Sequence, residues 1–180
     1  MERNLTHIAL FAALIAVLGL VPKFDLVIGV PITAQSLGIM LCGTVLGAKR
    51  GALAVLLFLA VGLVGVPVMA GFMSVYAKLF TPSVGFILGF PVAAFVTGWL
   101  MERLKADVTF AAFIAAFFGG IVVLYAFGIP GISIMTGKPL LEAFVGSMAF
   151  LPGDLIKAGI AALVTQAVAQ ARPGSLLSRA

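Results

Sequence analysis

Positions 108–127 read Val-Thr-Phe-Ala-Ala-Phe-Ile-Ala-Ala-Phe-Phe-Gly-Gly-Ile-Val-Val-Leu-Tyr-Ala-Phe, without a charge. A membrane-spanning helix needs roughly 20 apolar residues, with about 17 to 25 as the working range. This stretch meets that length on its own. It does not alternate apolar with polar residues, as a strand of a membrane barrel would. A helix also satisfies every backbone N–H and C=O within one segment, which hydrocarbon demands. The stretch therefore reads as a helix in lipid.

Similar segments lie on both sides of it. Upstream they cover Leu5–Val21, Thr33–Ala48, Ala52–Met69 and Val84–Met101; downstream one covers Pro152–Ala171. Between them, Leu26–Pro31 reads as a short apolar connector, Gly71–Ser83 as a longer connection and Gly128–Lys138 as a loop rich in Gly, Pro and Ser. Leu140–Phe150 reads as a short amphipathic helix on the outer ends. The first apolar stretch lacks a clean small-residue cleavage site, so it reads as a retained helix rather than a signal peptide.

Composition agrees. The 180 residues are 63% hydrophobic and 9% charged, where soluble domains carry about 25% charged residues. So few charges could not cover the surface of a soluble fold. The length suits a single domain over 1–180. The net charge of +5 comes without a basic run or aromatic-basic interleaving, which argues against nucleic acid. Instead Arg3, Lys49, Arg50, Arg103, Lys105, Arg172 and Arg179 fall on one side of a six-span arrangement, and only Lys23, Lys78 and Lys138 on the other. By the positive-inside rule both termini are then cytoplasmic. The expectation is an all-α integral membrane bundle of six transmembrane helices.

The chemistry concentrates in Phe150-Leu-Pro-Gly-Asp154-Leu-Ile-Lys157. An ionisable residue inside a spanning helix is costly and marks function by default. Asp154 and Lys157 are three apart and so share a helix face. Two readings stand for Asp154: a capping acid in the first helical turn, or half of a ligand-binding pair with Lys157. A carboxylate accepts hydrogen bonds and an ammonium donates them. Together they complement a small ligand with N–H donors and a carbonyl or carboxylate acceptor, such as a ureido ring.

A second polar cluster, Thr33, Gln35 and Ser36, opens an apolar segment. It suits either a helix cap or the outer wall of a ligand cavity. A third stretch runs from Tyr76-Ala-Lys78-Leu-Phe80 to Gly85-Phe86. Its aromatics suit a cover over a pocket, while Tyr76 and Lys78 suit anchoring at the headgroups, the commoner role. In the first helix Ala9, Ala12, Ala13 and Ala16 set small residues four apart, which permits close helix approach.

Cys42 is the lone cysteine, so there is no internal disulfide and no metal-ligand spacing. No Gly-x-x-x-x-Gly-Lys-Ser/Thr phosphate loop is present, and no catalytic set or cofactor motif stands out. An enzyme is not expected.

At these residues the chain resembles the BioY family, the biotin-binding S components of energy-coupling factor transporters. The resemblance rests on Pro31-Ile-Thr33-Ala-Gln35-Ser36-Leu-Gly38, Gly43-Thr-Val-Leu-Gly47-Ala-Lys49-Arg50-Gly51, Gly85-Phe86-Ile-Leu-Gly89-Phe-Pro91 and Pro152-Gly153-Asp154-Leu-Ile-Lys157. It implies a six-helix bundle with a biotin pocket near the outer face of a prokaryotic cytoplasmic membrane. It implies substrate contacts from Asp154 and Lys157, and it makes Ala9, Ala13 and Ala16 the surface that meets a transmembrane T component. ATP hydrolysis would come from separate ABC-type ATPase subunits. Biotin would be the transported ligand, and no cofactor is expected. The resemblance departs at Thr81-Pro82-Ser83, where the family often reads Gly-Pro-Thr; Ser74, Tyr76 and Lys78 are the polar candidates of that loop. An S component for another vitamin and a small intramembrane structural protein are the competing readings.

Overall fold

The computed structural model of the chain describes residues 2–25 and 29–179, without the side chains of Glu2, Arg3, Phe24 and Asp25. The expected Leu26–Pro31 connector therefore lies partly outside the described residues, as does the Arg3 side chain. Helix α1 covers Glu2–Leu18. Phe24–Asp25 and Pro31–Ile32 form a two-stranded antiparallel ribbon, β1 and β2. Helices α2, Gln35–Leu46, and α3, Ala48–Leu63, follow. A single turn, α4 (Val75–Lys78), precedes α5, Val84–Arg103. The long α6 covers Val108–Thr136. Helix α7, Leu140–Ser147, passes through a short 3-10 turn into α8, Leu151–Ala171.

Among the described residues, three runs are long and apolar enough to cross a membrane: Val84–Arg103, Val108–Thr136 and Leu140–Ala171. Large apolar side chains face outward around the bundle, among them Leu10, Leu53, Leu88, Phe110 and Leu163. Lipid is the solvent that accepts such a surface. Helix α2 is different. Its 12 residues span only about 18 Å, and all but Leu37 are buried. It is the bundle's inner helix, packed by α1, α3, α5 and α8.

Several boundaries differ from the sequence expectation: the segment expected over Ala52–Met69 ends as a helix at Leu63, with Met69 in a bridge to Met73 beyond it, and two further differences have a clear local cause. The break between α2 and α3 falls at Gly47, not after Lys49-Arg50. Gly47 takes φ 84°, a left-handed conformation that costs glycine little. The carboxylate of Glu102 then accepts from the Ala48 N–H at 2.8 Å, satisfying one of the donors that a helix start exposes. This cap lets α3 begin before the charges.

The loop expected over Gly128–Lys138 is also corrected: α6 continues as helix to Thr136 and stops at Gly137, φ 68°. Gly128 and Gly131 signal close packing rather than a turn. A Cβ at Gly128 would meet the Phe86 ring at 2.2 Å, and one at Gly131 would meet the Gly85 backbone at 2.6 Å. Neighbouring contacts hold the helix together through Pro130, whose ring nitrogen offers no N–H.

The end of the bundle away from Gln35 is closed by the tail. Leu176, Leu177 and Ser178 are buried there, with Ser178 donating to the Thr44 carbonyl and Arg50 to the Leu177 carbonyl.

Candidate functional site

Helix α8 places Asp154 in its first turn, and Asp154 makes no backbone cap there. Its carboxylate turns inward, and Asp154 is 5% exposed. The Lys157 ammonium donates to Oδ1 at 2.9 Å. It also donates to Ser36 Oγ at 2.9 Å. Ser36 in turn donates to Oδ1 at 3.4 Å. The Tyr125 hydroxyl, from α6, donates to Oδ2 at 2.8 Å. Lys157 does not snorkel outward. Its side chain is 15% exposed and lies beside its counter-charge. Burying either charge alone would cost several kcal/mol, on the order of 3–5, so each makes the other tolerable.

Asp154, Lys157 and Ser36 form the polar wall of a cavity of about 610 Å³, counted with its open mouth. Thr33, Gln35, Ser36, Phe86, Asp154 and Lys157 all line it. The opposite walls are mostly apolar, with Met69, Phe90, Leu124 and Phe150. Small-molecule sites have this composition, a largely apolar cleft with a few placed polar groups.

Gln35 has a structural task as well as a place in the lining. Its amide donates to the carbonyls of Ile15 at 3.2 Å and Val68 at 3.0 Å, and accepts from the Ala70 N–H at 3.1 Å. It thereby ties the end of α1 to the loop after α3. Gly19 leaves room for it, since a Cβ there would sit 2.9 Å from the Gln35 amide nitrogen. Gln35→Leu removes all three bonds at constant bulk. We expect a loss of about 3 kcal/mol, from partners left unsatisfied in a buried setting. Thermal melting of the purified variant reads it, and a wild-type melting temperature would contradict this role.

Two expectations in the Gly71–Ser83 segment come out differently. Tyr76 does not line the cavity; it is 60% exposed and packs edge-on against Phe80 at 5.4 Å. Lys78, read as a headgroup anchor, is 7% exposed and lines the cavity. The one-turn α4, capped by Ser74 Oγ accepting from Ala77 N–H at 3.2 Å, swings Tyr76 out and Lys78 in. Tyr125 was missed altogether. The available signal was a phenol in the middle of an apolar segment, because a buried tyrosine hydroxyl seeks a partner.

On α1, Ala9 and Ala13 are exposed and Ala16 is half-buried, while Ala12 and Ile15 face the core. The small-residue stripe therefore lies on the outside of the bundle. No cluster of His, Cys, Asp or Glu able to hold a metal occurs among the described residues.

Comparison with known proteins gives one consistent result. A model of the BioY family matches residues 2–174. The biotin transporter BioY of Rhizobium etli is 51% identical, with 92% of each chain covered. That of Rhodobacter capsulatus is 49% identical over 99% of this chain and 100% of its own. The crystal structure of the S-component for biotin from an ECF-type ABC transporter superposes with a TM-score of 0.89 at 31% identity, covering 94% of this chain and 92% of that one.

Proposed function

The chain belongs to the BioY family, and on that footing we propose that it is the biotin-binding S component of an energy-coupling factor transporter. It is a transporter component and not an enzyme. The observation that carries the reading is the Asp154–Lys157–Ser36 cluster on one wall of an otherwise apolar cavity. Biotin has a ureido ring with two N–H donors and a carbonyl, an apolar bicycle and a carboxylate tail. Asp154 accepts from the ureido N–H groups. Lys157 and Ser36 donate to its carbonyl. The aromatic wall of Phe86, Phe90 and Phe150 takes the bicycle. Lys78, also in the lining, supplies a second ammonium suited to an acidic tail.

Lys157 and Asp154 bond to each other across the lining. Ligand binding exchanges part of that internal bonding for bonds of equal type, which favours a ligand carrying both donors and acceptors over a purely apolar one.

The chain is one domain whose six helices α1, α2, α3, α5, α6 and α8 lie in the bilayer of a prokaryotic cell, α2 as the short inner one, with both termini in the cytoplasm. Lys49, Arg50, Arg103, Lys105, Arg172 and Arg179 then lie on the cytoplasmic side. No ATP-binding loop is present in the sequence, so energy comes from partner subunits. The alanine face of α1 at Ala9, Ala13 and Ala16 is the surface offered to the transmembrane T component, and ABC-type ATPase subunits drive the cycle.

The test is equilibrium binding of labelled biotin to detergent-purified, folded protein, with unlabelled biotin, thiamin and riboflavin as competitors. Displacement by biotin alone is expected. Displacement by another vitamin instead of biotin would reassign the ligand.

A further inference from the structure

We propose that Tyr125 is a positioning residue of the ligand site: its hydroxyl fixes the carboxylate of Asp154, and the π turn of α6 brings it there. The proposal rests on the reading of Asp154 as a ligand contact.

Asp154 is gripped by donors from three helices. Lys157 of α8 and Ser36 of α2 reach Oδ1, and Tyr125 of α6 reaches Oδ2 at 2.8 Å. A carboxylate held through only one oxygen can swing about its χ2 torsion, which is soft. Held through both, its plane is set, and Oδ1 stays on the cavity side beside Lys157. Tyr125 itself does not line the cavity. It is 7% exposed and packs edge-on behind two residues that do, with ring centroids 6.3 Å from Phe86 and 6.5 Å from Phe150. Only its hydroxyl reaches the site, and only through Asp154.

The backbone shows how it comes to point there. The buried positions along α6 are 111/112, 115/116, the run 119/120/121, then 124/125, 128/129 and 131/132, so the start of each group steps by four until one long step of five, from 119 to 124, across the extra buried residue Ile121. The long step coincides with the π-helical turn Phe118–Val123. Such a turn adds one residue to the helix, a rotation of about 100° for everything beyond it. Without it the pair at 123/124 would face inward, and Tyr125 would turn away from Asp154. The turn sits at a tight crossing: a Cβ at Gly119 would meet Thr97 Oγ1 at 2.0 Å, and one at Gly120 would meet Met40 Cγ at 2.5 Å. π turns of this kind recur at functional sites.

A core tyrosine that simply found an acceptor would make the same bond, so the test must separate the two roles. Tyr125→Phe keeps the ring and removes only the hydroxyl. Asp25, Asp107 and Asp154 are the aspartates of the chain, so carboxyl-labelled aspartate gives a simple infrared spectrum. Asp154→Asn then identifies the Asp154 band. In Tyr125→Phe, without ligand, that band is expected to shift, and labelled biotin to bind about tenfold more weakly, as suits loss of a bond to a charged group. An unmoved band overturns the proposal even if binding weakens, because the effect would then come from packing. A shifted band with affinity within about twofold of wild type also overturns it. If wild-type protein binds no biotin, the ligand reading fails separately, and the band alone decides whether Tyr125 holds Asp154.

Discussion

Lys157→Met is expected to abolish high-affinity biotin binding, by at least about 100-fold, or about 2.7 kcal/mol. The substitution removes the ammonium that pairs with Asp154 and with it a donor that the proposed site offers to the ligand. It also leaves a buried carboxylate without its Lys157 counter-charge. Removing one partner of a buried pair typically costs about 3–5 kcal/mol, so the variant should also melt earlier. The paired change Asp154→Asn with Lys157→Met separates the two effects. Removing both charges should restore most of the stability, since neutral replacement of a buried pair is often tolerated. It should not restore binding. Melting curves beside equilibrium binding for the three proteins read this directly. A double variant that still captures biotin would show that the polar wall is architecture only.

The second large effect concerns the crossing of α5 and α6. Gly85→Val is expected to prevent the folded bundle from accumulating. A Cβ at Gly85 would lie 2.3 Å from the Phe127 carbonyl oxygen and 2.9 Å from the Gly131 Cα. Both obstacles are backbone, so no side chain can rotate away. Overpacking of this kind costs about 1–3 kcal/mol where neighbours can adjust, and here they cannot without moving α6. Phe86, the next residue, lines the cavity, so any surviving protein should bind weakly too. Gly159→Ala is the matching control. Nothing lies within 4 Å of a Cβ there, and alanine favours the helix by about 1 kcal/mol. Size-exclusion profiles and melting of the two variants compare them. A monodisperse Gly85→Val with wild-type melting would contradict the close crossing.

Much of this architecture was readable from hydropathy, because lipid demands long apolar helices and punishes charges between them. The starts of α5 at Val84 and α8 at Leu151 fell within a residue of expectation. Glycine was the misleading letter. At Gly128 and Gly131 it suggested a loop, yet its lack of a side chain serves contact with Phe86 and Gly85, a tertiary fact that local sequence does not encode. At Gly47 the same residue does make the turn, but Glu102, which accepts from the Ala48 N–H just beyond it, is far along the chain.

The site was legible where charge stood against an apolar background. Asp154 and Lys157 announced themselves by cost, and Ser36 by its place at the head of an apolar segment. Tyr125 and Lys78 were harder for opposite reasons. Tyr125 depends on the added residue in Phe118–Val123, which shifts the inward face by one position. Lys78 depends on which way a single helical turn faces. Helical periodicity carries neither piece of information until the packing partners are known.

The most direct measurement of the central claim is an experimental structure of the purified protein with saturating biotin. The account predicts biotin in the cavity, its ureido ring within hydrogen-bond distance of Asp154, Lys157 and Ser36 and its bicycle against Phe86 and Phe150. Biotin bound elsewhere, or lying in the cavity with its ureido ring away from Asp154 and Lys157, would contradict it.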